Sequence, residues 1–296
     1  MASDISLSSA TRANLLSLQR TTDLIGRTQD RLSTGKKVNS AVDDALSFFT
    51  SRNLNDRASD LTTIKSGIQE GIQVLKTTTD ALTNVEDVLK QMKAIASSAK
   101  ATAATDTATR AKLSSQFNEL RSQVDHLVND ASYNGINLIK GNSTDTAVTP
   151  DTLTVKFSEQ NDAKPKRELT IKGEASDASS LNVKSAVYTS ADSTTWGSTV
   201  SNHAGIIDSS IAEIDSALTT VRSTAQTFGT NASMLQIRSD FTSNLVNTLE
   251  SGAATLVNAD LNEESANMLS LQTRQSLGSI ALSIAQQSEQ SILRLF

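Results

Sequence analysis

The chain has 296 residues and a formal net charge of −5, with 27 basic and 32 acidic residues interspersed along its length. This pattern provides no basic stripe for nucleic acid, and the absence of cysteine excludes disulfides, thiolate catalysis and zinc–thiolate sites. Because only 3% of the residues are aromatic, the core must be largely aliphatic, which favours long helices.

The first predicted element is a helix from about Ser8 to Thr34, ended by Gly35, which can adopt the left-handed conformation that closes a helix. Apolar residues recur in it at coiled-coil spacing: Leu15, Leu18, Ile25 and Leu32. A second apolar stripe, at the C-terminus, contains Leu277, Ile280, Ala281, Ile284 and Ile292. Neither segment can bury its stripe alone, so we expect the two ends to pair, with each other or between several copies of the chain.

The N-terminal segment is unlike a cleavable signal peptide. Its charged residues stand where a signal would be apolar: Asp4, Arg12, Arg20 and Asp23. No stretch of the sequence approaches the roughly 18 uninterrupted apolar residues that cross a bilayer. We therefore predict no membrane insertion and, for a secreted chain, secretion without a cleaved signal peptide.

The second predicted helix is unusually long. Ser40 and Asp43 have the spacing of a capping box, and apolar residues follow at steps of three and four. A helix over residues 41–100 would be about 90 Å long, which is typical of a rod. Within it, Gly67 and Gly71 form a Gly-x-x-x-Gly motif that permits close approach of a neighbour, in the same chain or in another.

A third helix is predicted over residues 107–129 and a fourth over residues 203–254. Between them, residues 141–200 contain both prolines, the single tryptophan and many Ser, Thr and Asp. Apolar residues there alternate with period two: Leu153, Val155 and Phe157, then Leu169 and Ile171. The pattern predicts a small β-rich module inserted between two helices.

Together these elements predict a mainly α fold. We expect an elongated antiparallel helical bundle, or rod, with paired N- and C-terminal coiled-coil helices and a small β-rich inserted module. Three domains follow. Residues 1–40 with 255–296 form a terminal coiled coil, 41–140 with 201–254 form the rod, and 141–200 form the surface-exposed module.

The sequence indicates no catalytic, cofactor or metal site. His126 and His203 are the two histidines, and neither has the spacing of metal ligands. The Gly-Lys-Lys sequence at residues 35–37 lacks the spacing and the hydroxyl residue of a phosphate-binding loop. Asp43 and Asp44 point about 100° apart on a helix, and the helix dipole explains them. We therefore predict that the chain is not an enzyme and has no cofactor.

Motifs near both ends of the chain are similar to those of a known family. Residues 31–41 (RLSTGKKVNSA), with Asp-Asp-Ala at 43–45, resemble the N-terminal signature of bacterial flagellins. Residues 267–269 (NML), 271–278 (LQTRQSLG) and 288–296 (SEQSILRLF) resemble the last helix of that family. The resemblance covers the chain except for the β-rich module.

The resemblance implies a structural subunit that polymerises into the helical bacterial flagellar filament, the propeller of swimming motility. The terminal helices of that family line the central channel as an inner tube, the rod forms the outer tube and the variable module faces solvent. Export through the flagellar type III apparatus is also implied, to an extracellular location. The partners would be further copies of the chain, an export chaperone, and hook-associated and cap proteins. A hook–filament junction protein is the alternative.

We expect the assembly interface to comprise apolar residues of the terminal helices: Leu15, Leu18, Ile25, Leu32, Leu277, Ile280, Ile284, Ile292, Leu295 and Phe296.

The resemblance also implies how an animal host would detect the chain. Family members that Toll-like receptor 5 recognises carry an Arg in a Leu-Gln-Arg-x-Arg segment of the long rod helix and a Glu on the helix beside it. Here residues 89–95 are LKQMKAI, which places Gln91 at that Arg and Lys93 two residues later, and Gln116 stands at the Glu. Because Gln lacks the charged planar fork of Arg, we expect weak recognition.

Overall fold

The computed structural model describes residues 9–103, 105–141, 150–159, 167–187, 196 and 203–293. The elements found in these residues are α1 Ser9–Thr34, α2 Ala45–Ala101, α3 Thr107–Asp130, β1 Thr152–Lys156, β2 Glu168–Lys172, α4 His203–Val257 and α5 Leu261–Leu293. The predicted mainly α fold, with paired terminal helices and a small β-rich part, is confirmed. The first four helices also begin and end within a few residues of their predicted bounds.

The beginning of α2 differs from the prediction. The Asp43 carboxylate accepts hydrogen bonds from the backbone N–H of Asn39 at 3.1 Å and of Ser40 at 2.9 Å, and these stabilise a turn that precedes the helix. Asp44 caps α2 instead, because its carboxylate accepts a bond at 3.1 Å from the N–H of Ser47, three residues later. The predicted capping box is therefore wrong, and the helix begins after Asp44.

The chain divides into two compact units. The terminal unit consists of Met1–Ala58 and Asn247–Phe296, and it contains α1 and α5. The central unit is Ser59–Val246, and it contains α3 and both strands. The β-rich segment thus belongs to the same unit as the helices that flank it.

In the terminal unit, α1 and α5 pack in opposite directions. Arg31, near the end of α1, forms an ion pair with Glu264, near the start of α5, with 2.9 Å between Nη1 and Oε1. Leu18, earlier in α1, packs against Gly278, later in α5. Gly35 has the left-handed φ of +68° that was predicted for the residue closing α1, and its carbonyl accepts a 3.0 Å bond from the connector between α4 and α5.

In the central unit, α2 and α4 are antiparallel in a constant register. Three ion pairs record it: Lys100–Asp208 at 2.5 Å, Lys93–Asp215 at 2.5 Å and Glu86–Arg222 at 2.8 Å. Each step along α2 is matched by an equal step back along α4, so one apolar stripe on each helix faces the other along the whole contact.

The strands complete the core of the central unit. They pair antiparallel with Leu153 opposite Ile171, and both of these side chains are buried together with Val155. Trp196 is also buried, and its ring centroid lies 5.0 Å from that of Phe117 on α3. Because a two-stranded sheet cannot bury a core of its own, the described residues of the β-rich segment share the core of the helices.

Candidate assembly surfaces

The contact between α1 and α5, here called the seam, repeats every seven residues. On α1 its half-buried members are Leu18, Ile25 and Leu32. On α5 its members seven residues apart are Glu264, Leu271, Gly278 and Ala285, and the half-buried Met268 and Leu282 lie between them on the same face. Spacing of seven keeps one face of each helix toward the other, as in a coiled coil.

Small and polar side chains limit the apolar surface that the seam buries. A Cβ at Gly278 would lie 2.7 Å from Cδ2 of Leu18, so the two helices approach closely at this point. Thr11 and Thr28 are buried on α1, with 1% and 6% exposure. Burial of a Leu or Ile side chain contributes about 1.5–3 kcal/mol, which Gly and Thr do not supply. The seam is therefore a weak contact for helices of this length.

Charge adds to the pairing of α1 with α5. The α1 helix carries four arginines and two aspartates, whereas α5 carries three glutamates and one arginine. Opposite net charges of this kind favour association of the two helices. The ion pair between Arg31 and Glu264 is partly shielded from solvent, since 35% of the Arg31 side chain and 10% of the Glu264 side chain are exposed.

The predicted interface residues fall into two groups. Leu18, Ile25 and Leu32 lie in the seam, as expected of an N-terminal coiled-coil stripe. The predicted C-terminal stripe is exposed: Leu277 by 62%, Ile280 by 56% and Ile284 by 59%. It does not pair with α1 inside one chain, because the half-buried face of α5 runs through Met268, Leu271, Gly278, Leu282 and Ala285. Ile292 is part of α5 but its side chain is not among the described ones, and Leu295 and Phe296 lie outside the described residues.

The exposed apolar residues of α1 and α5 form what we call the outer face. Its members are Leu15, Leu16, Leu24, Leu261, Leu269, Leu277, Ile280 and Ile284, each between 42% and 68% exposed. Sequence reasoning missed Leu16, Leu24, Leu261 and Leu269, which are not members of the predicted stripes. Among the described residues, the largest fully buried side chains all belong to the central unit. Eight of the 16 exposed large apolar side chains of the described residues lie on α1 and α5, and exposed apolar surface of this kind is typical of protein–protein contact sites.

The residues predicted to bear on receptor recognition lie on α2 and α3 of the central unit. Gln91 and Gln116 are exposed. Lys93 is half-buried, and its Nζ lies 2.5 Å from Oδ1 of Asp215 on α4. Sequence reasoning missed this ion pair because its two members are 122 residues apart in the chain.

The described residues contain no group of three or more His, Cys, Asp or Glu side chains that could hold a metal ion. His126 is exposed on α3. A search of the same residues for a helix long and apolar enough to span a membrane finds none.

Two family models match the chain. One is described as the bacterial flagellin N-terminal helical region and covers residues 5–144, and the other as the bacterial flagellin C-terminal helical region and covers residues 211–296. Flagellin FljM of Caulobacter vibrioides is 30% identical over 285 residues, which are 95% of this chain and 94% of that protein. A flagellin of Brucella melitensis is 29% identical over 301 residues, which cover 100% of this chain and 99% of that protein.

A solved structure is also similar to this one. It is the structure of a putative flagellar hook-associated protein from Vibrio parahaemolyticus, with a TM-score of 0.56 and 16% sequence identity. The match covers 73% of this chain and 100% of that chain. At this identity, the likeness shows a shared fold and nothing further.

Proposed function

This chain belongs to the bacterial flagellin family, and from that premise we propose which of its surfaces assemble the polymer. Flagellins are the structural subunits of the helical flagellar filament, and the chain is such a subunit. The family places it in the extracellular filament, as a protein of motility that associates with copies of itself.

We assign the filament layers by domain. Residues 1–40 with 255–296 form the inner tube around the central channel, and residues 41–140 with 201–254 form the outer tube. Residues 141–200 face the surrounding solvent. The distribution of apolar surface supports this assignment, because residues in the inner layer of a tube have neighbouring copies on several sides and α1 and α5 carry half of the exposed large apolar side chains of the described residues.

The outer face of α1 and α5 is the proposed contact between copies. Leu18, Ile25 and Leu32 hold α1 on α5, and this pair then presents Leu15, Leu277, Ile280 and Ile284 to neighbouring subunits; Ile292, Leu295 and Phe296 extend the same contact. The observation that carries the proposal is that Leu277, Ile280 and Ile284 are each more than half exposed in the single chain, on a helix whose seam lies elsewhere.

An aspartate on the outer face tests the proposal. Leu277→Asp and Ile284→Asp should abolish polymerisation, since an unpaired carboxylate buried between subunits costs several kcal/mol. The central unit should remain folded, and its single tryptophan, Trp196, reports this through its fluorescence. Polymerisation is followed by sedimentation and electron microscopy in a sulfate salt, which strengthens apolar association.

Ser122→Asp, which adds the same charge at an exposed site on α3, is the matched control and should polymerise like the parent chain. Normal filaments from both α5 variants would show that the outer face is not part of the contact between subunits.

We propose no enzymatic activity for the chain. Its further partners are those of the family: the flagellar type III export apparatus and a chaperone during export, and hook-associated and cap proteins at the ends of the filament. A hook–filament junction protein is the less favoured assignment, because the relatives that span nearly the whole chain are flagellins and the hook-associated similarity concerns the fold alone.

A further inference from the structure

The two glycines of the Gly-x-x-x-Gly motif on α2 have different surroundings. A Cβ at Gly71 would lie 2.8 Å from Cγ2 of Val155 and 3.3 Å from Cδ1 of Leu235, so the close neighbour of Gly71 belongs to its own chain. A Cβ at Gly67 would meet no atom within 4 Å. Gly is about 1 kcal/mol less favourable than Ala inside a helix, and nothing in the described part of the chain requires Gly at this position.

Gly67 lines an apolar cleft between α2 and β1, here called the Gly67 cleft. Its volume is about 370 Å³. Its apolar walls are formed by Ile64, Gly71, Ile136, Leu153 and Val155, and Glu70 and Lys156 bring one charge of each sign to its lining. An engineered cavity of about 150 Å³ takes up a benzene molecule, so this cleft has room for a Leu or Phe side chain.

The terminal unit carries a matching protrusion at the start of α2. Val42, Leu46 and Phe49 are 95%, 80% and 55% exposed, and we call them the Leu46 surface. Val42 and Leu46 are the most exposed large apolar side chains of the described residues. Leu46 and Phe49 are three residues apart on one side of α2, and Val42 lies in the turn that precedes the helix.

Two carboxylates flank the Leu46 surface. Hydrogen bonds from the backbone N–H groups of Ser40 and Asn39 hold the pKa of Asp43 below its usual value. The Ser47 side-chain and backbone groups do the same for the pKa of Asp44. Both aspartates are therefore ionised at neutral pH and present negative charge beside an apolar protrusion.

A helical polymer of identical subunits requires two different, complementary surfaces on each copy. We propose that the Leu46 surface of one copy docks in the Gly67 cleft of a second copy. The size of the cleft fits one of the protruding side chains, and of the two charges in its lining Lys156 complements Asp43 and Asp44, whereas Glu70 accepts a hydrogen bond from the Asn134 side chain. The proposal rests on the assigned role as a filament subunit and names a contact outside the α1–α5 outer face.

Cross-linking between two variants tests the contact directly, because the parent chain has no cysteine. A Leu46→Cys chain and a Gly67→Cys chain are mixed, polymerised on parent filaments as seeds, and treated with a short bis-maleimide. A covalent dimer containing one chain of each kind is expected on a denaturing gel. Since each chain carries a single thiol, that dimer can form only between two copies.

Gly229→Cys provides the matched control, because Gly229 is also a helical glycine of the central unit with no atom within 4 Å of its would-be Cβ. Mixed with Leu46→Cys, it should give no dimer. Filaments that contain both thiols but yield no dimer, or an equal yield with Gly229→Cys, would overturn the proposal.

Filling the cleft provides a second, independent test. Gly67→Leu should leave the monomer folded, since the new side chain begins in open space and Leu is a better helix former than Gly. The protein concentration needed for polymerisation should rise at least tenfold, whereas Gly229→Leu should leave it unchanged. Normal assembly of Gly67→Leu would refute the cleft contact while loss of assembly in Leu277→Asp still supported the filament role. Normal assembly of Leu277→Asp, together with loss of assembly in Gly67→Leu, would support the cleft contact and show that the outer face is not needed for assembly.

Discussion

At the scale of single residues, the glycine positions differ in how much space surrounds the Cα, and some would accept a side chain whereas others would not. At Gly173, a Cβ would lie 2.4 Å from the carbonyl oxygen of Leu138 and 2.6 Å from that of Asp151. Both atoms belong to the backbone, so a side chain there cannot be accommodated by a simple rotamer change. At Gly229 nothing lies within 4 Å of the same point.

Gly173→Ala should therefore destabilise the central unit by about 1–3 kcal/mol, the usual cost of overpacking. Urea unfolding followed by Trp196 fluorescence measures this, because the tryptophan is 1% exposed beside Phe117. Gly229→Ala should leave the stability unchanged or raise it by up to about 1 kcal/mol, through helix propensity alone. Equal stability of the two variants would show that the backbone around Gly173 relaxes freely.

Gln91 and Gln116 allow a prediction about host recognition. Both are exposed, and the resemblance to flagellins places them where receptor-recognised members carry Arg and Glu. Truncating an interface anchor of this kind commonly costs about 2 kcal/mol or more, roughly thirtyfold in affinity. Purified monomer should therefore activate Toll-like receptor 5 weakly in reporter cells, and Gln91→Arg combined with Gln116→Glu should recover at least tenfold in potency.

Gln123→Arg, an exposed change on α3, controls for added positive charge and should have no effect. Full potency of the parent monomer would show that this pair does not limit recognition.

At the scale of elements, the register of α2 against α4 is held by a small charge network at Glu86. Its Oε1 lies 2.8 Å from Arg222 on α4 and 3.1 Å from Lys90 on its own helix. These hydrogen bonds, that from Arg222 first, hold the pKa of Glu86 below its usual value. A carboxyl whose pKa is lower in the folded state stabilises the fold above its unfolded pKa, and this contribution is lost as the pH falls through the folded pKa.

Glu86→Gln should accordingly lower the unfolding free energy by about 0.5–1 kcal/mol at pH 7. The difference from the parent chain should shrink below about pH 4 and be smaller at pH 3, because the parent carboxyl becomes protonated as the pH falls through its lowered pKa. Urea titrations at both pH values measure it, with Glu119→Gln, an exposed change on α3, as control. A difference of the same size at pH 3 would mean that Glu86 acts through its packing and not through its charge.

At the scale of the whole molecule, the two units differ in how they bury apolar side chains. The central unit contains one continuous core in which Leu75, Leu82 and Leu89 on α2 are fully buried. The terminal unit has a seam with glycine and threonine and leaves many of its larger apolar residues exposed, Leu277 and Ile284 among them. Helices with little buried apolar surface open at low free energy, so order in α1 and α5 should depend on neighbouring copies.

Hydrogen exchange should reveal this difference. In a monomer verified by sedimentation, the amides of α1 and α5 should exchange rapidly, whereas those of α2–α4 within Ser59–Val246 should be strongly protected. In filaments, α1 and α5 should gain protection while the central unit changes little. Equal protection of α5 and α2 in the monomer would contradict the dependence of the terminal helices on assembly.

The sequence by itself determined the helices and most of their ends, apart from the start of α2 and the bounds of α5. Apolar steps of three and four residues predicted α2 and α4, Gly35 closed α1, and period-two alternation placed β1 and β2. These signals lie within a few turns of chain, where backbone preference and local side-chain pattern decide the conformation. The flagellin-like motifs at both ends indicated the filament role for the same reason: they are contiguous in the chain.

Only the tertiary structure decided how the elements face one another. It placed Gly278, and not Leu277 or Ile284, in the seam, since a close helix approach needs a position without a side chain opposite Leu18. It also separated Gly71, packed by Val155, from the open Gly67. Each of these outcomes depends on contacts between residues that are distant in the chain. The energy of such contacts is a sum over the whole shared surface, so the local sequence pattern does not reveal it.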